Sequence, residues 1–454
     1  MGRRVPRMYL IDSTGQNMSK QNVVIVGGGF AGVTLARPLE RTLPTSWDIF
    51  LLSKTNLVTY GPLLPEVVGA SVLPGHVVAL LRRILKRTRM RMVNVNGIDT
   101  TKQTASYSTP AEGTLKYDHL VMTCGVDANV SLIEGISEHG LPLKNLGDAL
   151  YLRNRVISSL EQATIIEDIQ RKRWLSRVVV VGGGFSGVEV AGEIQDLLID
   201  AVPLFKRVKP EDCFVELLHG SDCLLPELSQ SLGRYTERLM RKRGIKVRLN
   251  SRVACVDERG VQLNDGTRVD GATVVCTIGT RPQGFVAALP LADSRGRLPT
   301  NQYMQVTSTS NIWAIGDCAS VPNGGEGKPP CPPTAQCAIR QASALAANLL
   351  RAVRNQPLKS FRYRAIGQLA AVGHRKAVAE IGGFRVSGII AWLLWRGFYL
   401  SKIPTLARKV RLFLEWNWAI FFPKDIALLD FERSLKNQPD GTTTPITSYT
   451  QPFP

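Results

Sequence analysis

Val23-Val24-Ile25-Val26-Gly27-Gly28-Gly29-Phe30-Ala31-Gly32 decides the fold, because Val178-Val179-Val180-Val181-Gly182-Gly183-Gly184-Phe185-Ser186-Gly187 repeats it later in the same chain. Each stretch is a buried apolar strand, a glycine turn and the opening of a helix, the βαβ signature for a dinucleotide pyrophosphate. The first glycine makes the turn, the second admits the phosphates close to the backbone, and the third packs helix on strand. Free N–H groups and the partial positive charge of the helix N-terminus then meet the anion. One such turn is weak evidence, since glycine turns also arise for steric reasons. Two in the required strand–turn–helix context imply two dinucleotides on one chain and electron transfer between them.

Working outward, a helix from about Ala31 to Glu40 leads to a strand at Asp48 to Leu52, and Ser53 and Lys54 follow it. A basic amphipathic helix is expected near Val77 to Arg87. Tyr117 to Gly125 reads as a strand ending in the small turn Thr123-Cys124-Gly125, and a helical connector covers roughly Leu146 to Arg173. The second unit repeats the plan with strands at Phe214 to Leu218, Lys246 to Leu249 and Thr273 to Ile278, the last running into Gly279. The segment Asn311 to Ala319, which carries Gly316-Asp317, returns to the first unit. The expected fold is therefore α/β: two Rossmann-type dinucleotide-binding domains, the second inserted in the first, plus a C-terminal amphipathic membrane-association segment.

The 454 residues suit two or three domains, and a 44% hydrophobic fraction with mean hydropathy near zero describes a globular chain. The net charge of +19 favours an anionic partner. Basic clusters such as Arg82 to Arg91 and Arg408 to Arg411 lack interleaved aromatics of the RNA-binding kind, so no nucleic acid is expected. The eight cysteines include no C-x-x-C pair and read as reduced, mostly structural residues; no metal site is expected. No apolar window reaches the ~18 residues of a spanning helix. Four of the seven tryptophans lie between 392 and 418, beside Arg408, Lys409 and Arg411, a pattern suited to the headgroup boundary of an anionic membrane.

Taken together, the glycine turns, Pro62-Leu63-Leu64-Pro65-Glu66-Val67, the GGGFSGVEVAGE run from Gly182 to Glu193, Ala314 to Ala319, Pro333-Thr334-Ala335-Gln336 and Gly367 to Gly373 resemble the type II NADH:quinone oxidoreductases, the single-subunit, non-proton-pumping NADH dehydrogenases. The resemblance runs from about Asn22 to Pro423 and implies the following boundaries: an N-terminal tail at 1–21, an FAD-binding domain at 22–150 and 291–385, an NAD(P)H-binding domain at 151–290, a membrane-association region at 386–435 and a flexible tail at 436–454. It implies FAD on Gly27, Gly29, Phe30, Ala31, Gly32, Ser53, Lys54, Thr123, Cys124, Gly125, Gly316, Asp317, Ala335 and Gln336. The nicotinamide dinucleotide falls to Gly182, Gly184, Phe185, Ser186, Gly187, Glu189, His219 and Gly279. Glu189, Gln336 and Arg340 are the catalytic candidates, with Glu189 beside the nicotinamide and Gln336 near the quinone entrance. The implied activity is hydride transfer from NAD(P)H to FAD and two electrons onward to a quinone, on the cytoplasmic face of a membrane (the plasma membrane in a bacterium), with a homodimer open.

The departures matter as well. An acid normally ends the second strand of each unit and binds the ribose hydroxyls. Here those positions hold Ser53 and His219, so the chain carries no acid to repel a 2′-phosphate, and no arginine at the position to attract one. NADH and NADPH both stay open. The pattern usually carries paired glutamines where this chain has Arg340-Gln341, and commonly tryptophan where it has Cys276. Two other readings remain: a sulfide:quinone oxidoreductase using Cys124, Cys331 and Cys337, and a flavoprotein whose redox state gates binding to a partner.

Overall fold

The computed structural model describes residues 20–108, 111–325, 327–373 and 375–429. The expected tail at 436–454 and nearly all of 1–21 lie outside them. Strand Gln21–Val26 buries its four apolar residues, Val23 to Val26, as a central parallel strand must when helices cover both faces. It pairs in parallel with Trp47–Ser53 on one side and His119–Met122 on the other. Arg89–Met92 and Ile312–Ala314 complete a five-stranded sheet. The second sheet has the same design: Gly140–Pro142, Thr273–Cys276, Arg177–Val181, Phe214–Leu218 and Lys246–Arg248, all parallel. Because Ile312–Ala314 returns to the first sheet after the second is complete, the second unit is an insertion.

Local differences from the sequence reading are instructive. Residues 78–84 form the strand Val78–Leu80 and the single turn Leu81–Ile84 rather than a long basic helix. Val78–Leu80 pairs antiparallel with Leu57–Thr59, and that tertiary pairing overrides the helical charge pattern. The expected domain boundary at 150/151 falls inside the helix Leu146–Ile165, and the chain already joins the second sheet at Gly140–Pro142. Asn145 starts that helix with a capping box, its side chain accepting from Asp148 N–H at 3.0 Å. The strands Val126–Ala128 and Thr280–Pro282 cross side by side between the two units, so one antiparallel pair carries the chain out and back.

The C-terminal part is a three-stranded antiparallel sheet, Gly367–Gly373, Lys376–Ile381 and Phe384–Gly388, followed by helices Ile389–Lys402 and Leu406–Phe421. Among the described residues no helix is long and apolar enough to cross a membrane. Three of the four tryptophans expected at the headgroup boundary face inward instead: Trp392, Trp395 and Trp416 are buried, and only Trp418 is exposed. The outward surface is carried by Ile389, Ile390, Leu393, Leu394, Leu406, Val410, Phe413, Leu414 and Phe421. An apolar face of that extent is far larger than isolated exposed hydrophobics.

Candidate active site

The first glycine turn and the helix that follows the second open on one cavity of about 630 Å³. Gly27, Gly28, Gly29, Phe30 and Ala31 line it from the first unit, and Phe185, Ser186 and Glu189 from the second. Gly27 has φ +116°, and a Cβ there would run into the Thr123 carbonyl. Thr123 fixes that approach, since its hydroxyl donates to the carbonyls of Val26 at 2.9 Å and Gly27 at 3.0 Å. A Cβ on Gly32 would strike the Gly27 carbonyl, whereas Gly29 has open space. Gly29 and Gly184 cap their helices without any side-chain hydrogen bond, which leaves first-turn N–H groups for an anion. A turn that excludes side chains, free helix amides and a cleft of this size fit the pyrophosphate and flavin of FAD.

Ser53, Lys54, Cys124, Gly125, Gly316, Asp317 and Ala335 also line the cavity. Burial raises the Asp317 carboxyl above its usual range, against the pull of Lys144 and Arg297. Gln341, at the position noted only as a departure, is buried and accepts from Gly316 N–H at 2.8 Å, so it holds the Gly316-Asp317 turn. Gln336 and Arg340 do not line the cavity. Gln336 accepts from the Tyr363 hydroxyl at 2.6 Å, and Arg340 is exposed. The helix Ala335–Val353 turns ~100° per residue, so Ala335 and Ala338 reach the cavity together while 336 and 340 rotate off it. Gln283 and Tyr399 line the wall too, and Gln283 donates to the Cys124 carbonyl at 2.9 Å. Local sequence carries no signal for either, because they arrive from the crossing strand pair and the C-terminal helix.

Glu189 accepts from Ala371 N–H at 3.1 Å and Trp395 Nε1–H at 3.3 Å, both on Oε1. Burial nevertheless pushes its carboxyl up to about 8, so it is mainly protonated at neutral pH. Glu193 lies one turn along, where Ser71 donates to it at 2.7 Å and Lys424 stands 3.7 Å away. Glu66, from the Pro-Leu-Leu-Pro-Glu segment, accepts from Trp416 Nε1–H at 2.9 Å, and burial raises it to about 8. The Arg396 guanidinium packs over Trp392 at 3.7 Å and Trp416 at 5.0 Å. Trp395 and Trp416 thus tie the two C-terminal helices to Glu189 and Glu66.

Gly182, Gly184, Gly187, Gly279 and His219 do not themselves line the cavity. They shape the second turn, where a Cβ on Gly183 would sit 2.6 Å from His219 Cγ. His219 Nδ1 accepts from Gly183 N–H at 3.1 Å, and burial lowers its pKa. For sulfide chemistry, Cys124 is the one of its three cysteines that lines the cavity. Its hydrogen bond with Cys318 and its burial push that thiol up, away from a nucleophilic thiolate.

The model of the pyridine nucleotide-disulphide oxidoreductases matches residues 21–342, and that of the NDH2 C-terminal domain matches 366–425. A type II NADH:quinone oxidoreductase of Mycobacterium tuberculosis, NdhA, is 30% identical over 424 residues, covering 88% of this chain and 87% of the relative. This chain belongs to the type II NADH:quinone oxidoreductases. A second type II enzyme of that organism, Ndh, is 29% identical over 89% of both chains. The solved structure of Plasmodium falciparum NDH2 in complex with NADH superimposes with a TM-score of 0.82 at 19% identity, over 90% of this chain and all of that one. Sulfide:quinone oxidoreductase from Aquifex aeolicus shares the fold at a TM-score of 0.67 and 17% identity. The type II architecture, including its C-terminal domain, is thus present along nearly the whole described chain.

Proposed function

We infer that this type II enzyme accepts hydride from NADH on FAD and passes two electrons to a quinone, without proton pumping, as a peripheral membrane protein. One observation carries the reading: a single cavity is lined by the first glycine turn and by the helix that opens at the second, so dinucleotides bound at the two turns converge. FAD, when bound, supplies the redox chemistry. The chain's residues position and shield it. The amides after Gly27 and Gly29 hold the FAD pyrophosphate, with Phe30, Ala31 and Gly32 opening the helix, and Thr123 fixes the turn. Asp317 accepts hydrogen bonds from cofactor hydroxyls, while Ser53, Lys54, Cys124, Gly125, Gly316 and Ala335 complete the wall. Gly182, Gly184, Gly187 and Gly279 shape the second dinucleotide turn, and Phe185 and Ser186 face the cavity. Glu189 orients the nicotinamide and holds a proton on its carboxyl at neutral pH. Gln336 and Arg340 act at the quinone side through the end of their helix rather than inside the flavin cavity.

The exposed apolar faces of the last two helices, flanked by exposed Lys402 and Arg411, support docking on an anionic bilayer. We assign the cytoplasmic face and a homodimer on the family resemblance. Anaerobic stopped-flow against NADH and then a soluble quinone tests the reaction. Rapid flavin bleaching reversed by quinone is the expected result. Reduced flavin that quinone fails to reoxidise would transfer the weight to a redox-gated binding protein.

A further inference from the structure

The second strand of the inserted unit, Phe214–Leu218, ends at His219 where an acid would hold the ribose of NADH. The ring is locked from beneath by Gly183 N–H on Nδ1. A neutral imidazole accepting at Nδ1 carries its proton on Nε2, and that nitrogen is buried near the Cys223 backbone, so the ring adds no negative charge at the turn. The turn after it is tied to the neighbouring strand's exit loop: Ser251 N–H donates to the His219 carbonyl at 2.8 Å, and Asn250 N–H to the Ser221 carbonyl at 3.0 Å. This brings in Arg252, invisible from the strand end itself. A Cβ on Gly220 would lie 3.2 Å from Arg252 Cγ and 3.9 Å from its Nε, so the absence of a side chain at 220 lets the arginine stem lie across the turn. Arg252 is exposed and enters no ion pair among the described residues, whereas nearby Arg248 is held by Glu216.

We propose that Arg252 is a specificity residue that binds the 2′-phosphate of NADPH, beside a neutral His219 where an acid would repel it, so that the enzyme accepts NADPH beside NADH. The proposal rests on the reading that the inserted unit holds the nicotinamide dinucleotide. Guanidinium is suited to phosphate through paired N–H donors, and a neutral imidazole in place of a carboxylate repels neither dinucleotide. Asp222 and Glu227 stand in the same loop and face His219, so the preference for the extra phosphate is limited. An exposed arginine–phosphate contact is also screened by salt.

The test uses the full-length, FAD-loaded protein. Flavin bleaching is followed against NADH and NADPH concentration for the wild type, R252A and the charge reversal R252E, with 2′,5′-ADP and 5′-ADP as competitors. Expected is bleaching by both dinucleotides, and a fall of about tenfold in the NADPH-to-NADH affinity ratio in R252A, larger in R252E. Wild-type competition by 2′,5′-ADP should weaken in parallel, and raised salt should lower the ratio only when Arg252 is present. An unchanged ratio in both variants overturns the assignment, as does bleaching by NADH alone with no competition from 2′,5′-ADP. If neither dinucleotide bleaches the flavin, the functional reading itself fails, a result distinct from these.

Discussion

Replacing Glu189 by glutamine tests whether its buried carboxyl is neutral at working pH. Burial lifts it from 4.5 to about 8, outweighing the hydrogen bonds from Ala371 and Trp395 that favour the charged form. Its folded pKa lies above the unfolded one, so between those values the folded protein binds the extra proton and loses stability as pH rises. Integrating from pH 6 to pH 9 with these two values, Glu189 removes roughly 2–3 kcal/mol of stability, an order-of-magnitude figure. Glutamine keeps the carbonyl acceptor for both donors and cannot ionise. The stability of E189Q relative to the wild type should therefore rise by that amount between pH 6 and pH 9. At roughly 2.1 cal/mol/K of unfolding entropy per residue over 454 residues, the Tm difference between the two widens by about 3 °C from pH 6 to pH 9 for cooperative unfolding. Glu66 is present in both proteins, so its own titration largely cancels in the difference. The assay is thermal unfolding of FAD-saturated wild type and E189Q at half-unit pH steps. Infrared difference spectra at pH 7 report whether a protonated carboxyl disappears. Parallel Tm profiles would refute a neutral buried glutamate.

Other outcomes follow from the same geometry. Gly27→Ala should yield protein with little bound flavin, read as the flavin-to-protein absorbance ratio, because its Cβ collides with the Thr123 carbonyl at a φ of +116°. Gln341→Leu leaves the half-buried Gly316 N–H without its acceptor, costing about 1–3 kcal/mol, and should weaken FAD retention while leaving the KM for NADH nearly unchanged. Trp416→Phe strips the donor from Glu66 and should lower Tm with a further rise in the Glu66 pKa, whereas Trp418→Phe, at an exposed position, should leave Tm within error. Replacing Leu406, Phe413 and Leu414 by serine should abolish co-sedimentation with anionic vesicles while activity with a water-soluble quinone persists; retained sedimentation would deny that face its role.

The two dinucleotide folds were legible in the chain because a buried parallel strand, a glycine turn and a helix start are adjacent residues, and their chemistry is local. The apolar runs 23–26 and 178–181 emerged as the central strands, and the return through Ile312–Ala314 made the second unit an insertion. Charge and aromatic content were legible only as composition. Which way a tryptophan faces depends on what its N–H can reach, and three turned inward toward the core and two buried carboxyls rather than outward to lipid. Helical phase decided likewise that Ala335 and Ala338 reach the cavity while Gln336 and Arg340 do not. Sequence alone therefore determined the cofactor-binding frame, since strand, turn and helix follow from neighbours along the chain. Tertiary structure alone brought Gln283 and Tyr399 to the cofactor cavity, Gln341 to the Gly316-Asp317 turn and Arg252 to the second dinucleotide turn. Those placements depend on crossings between segments far apart in sequence, and no local spacing encodes a distance between them.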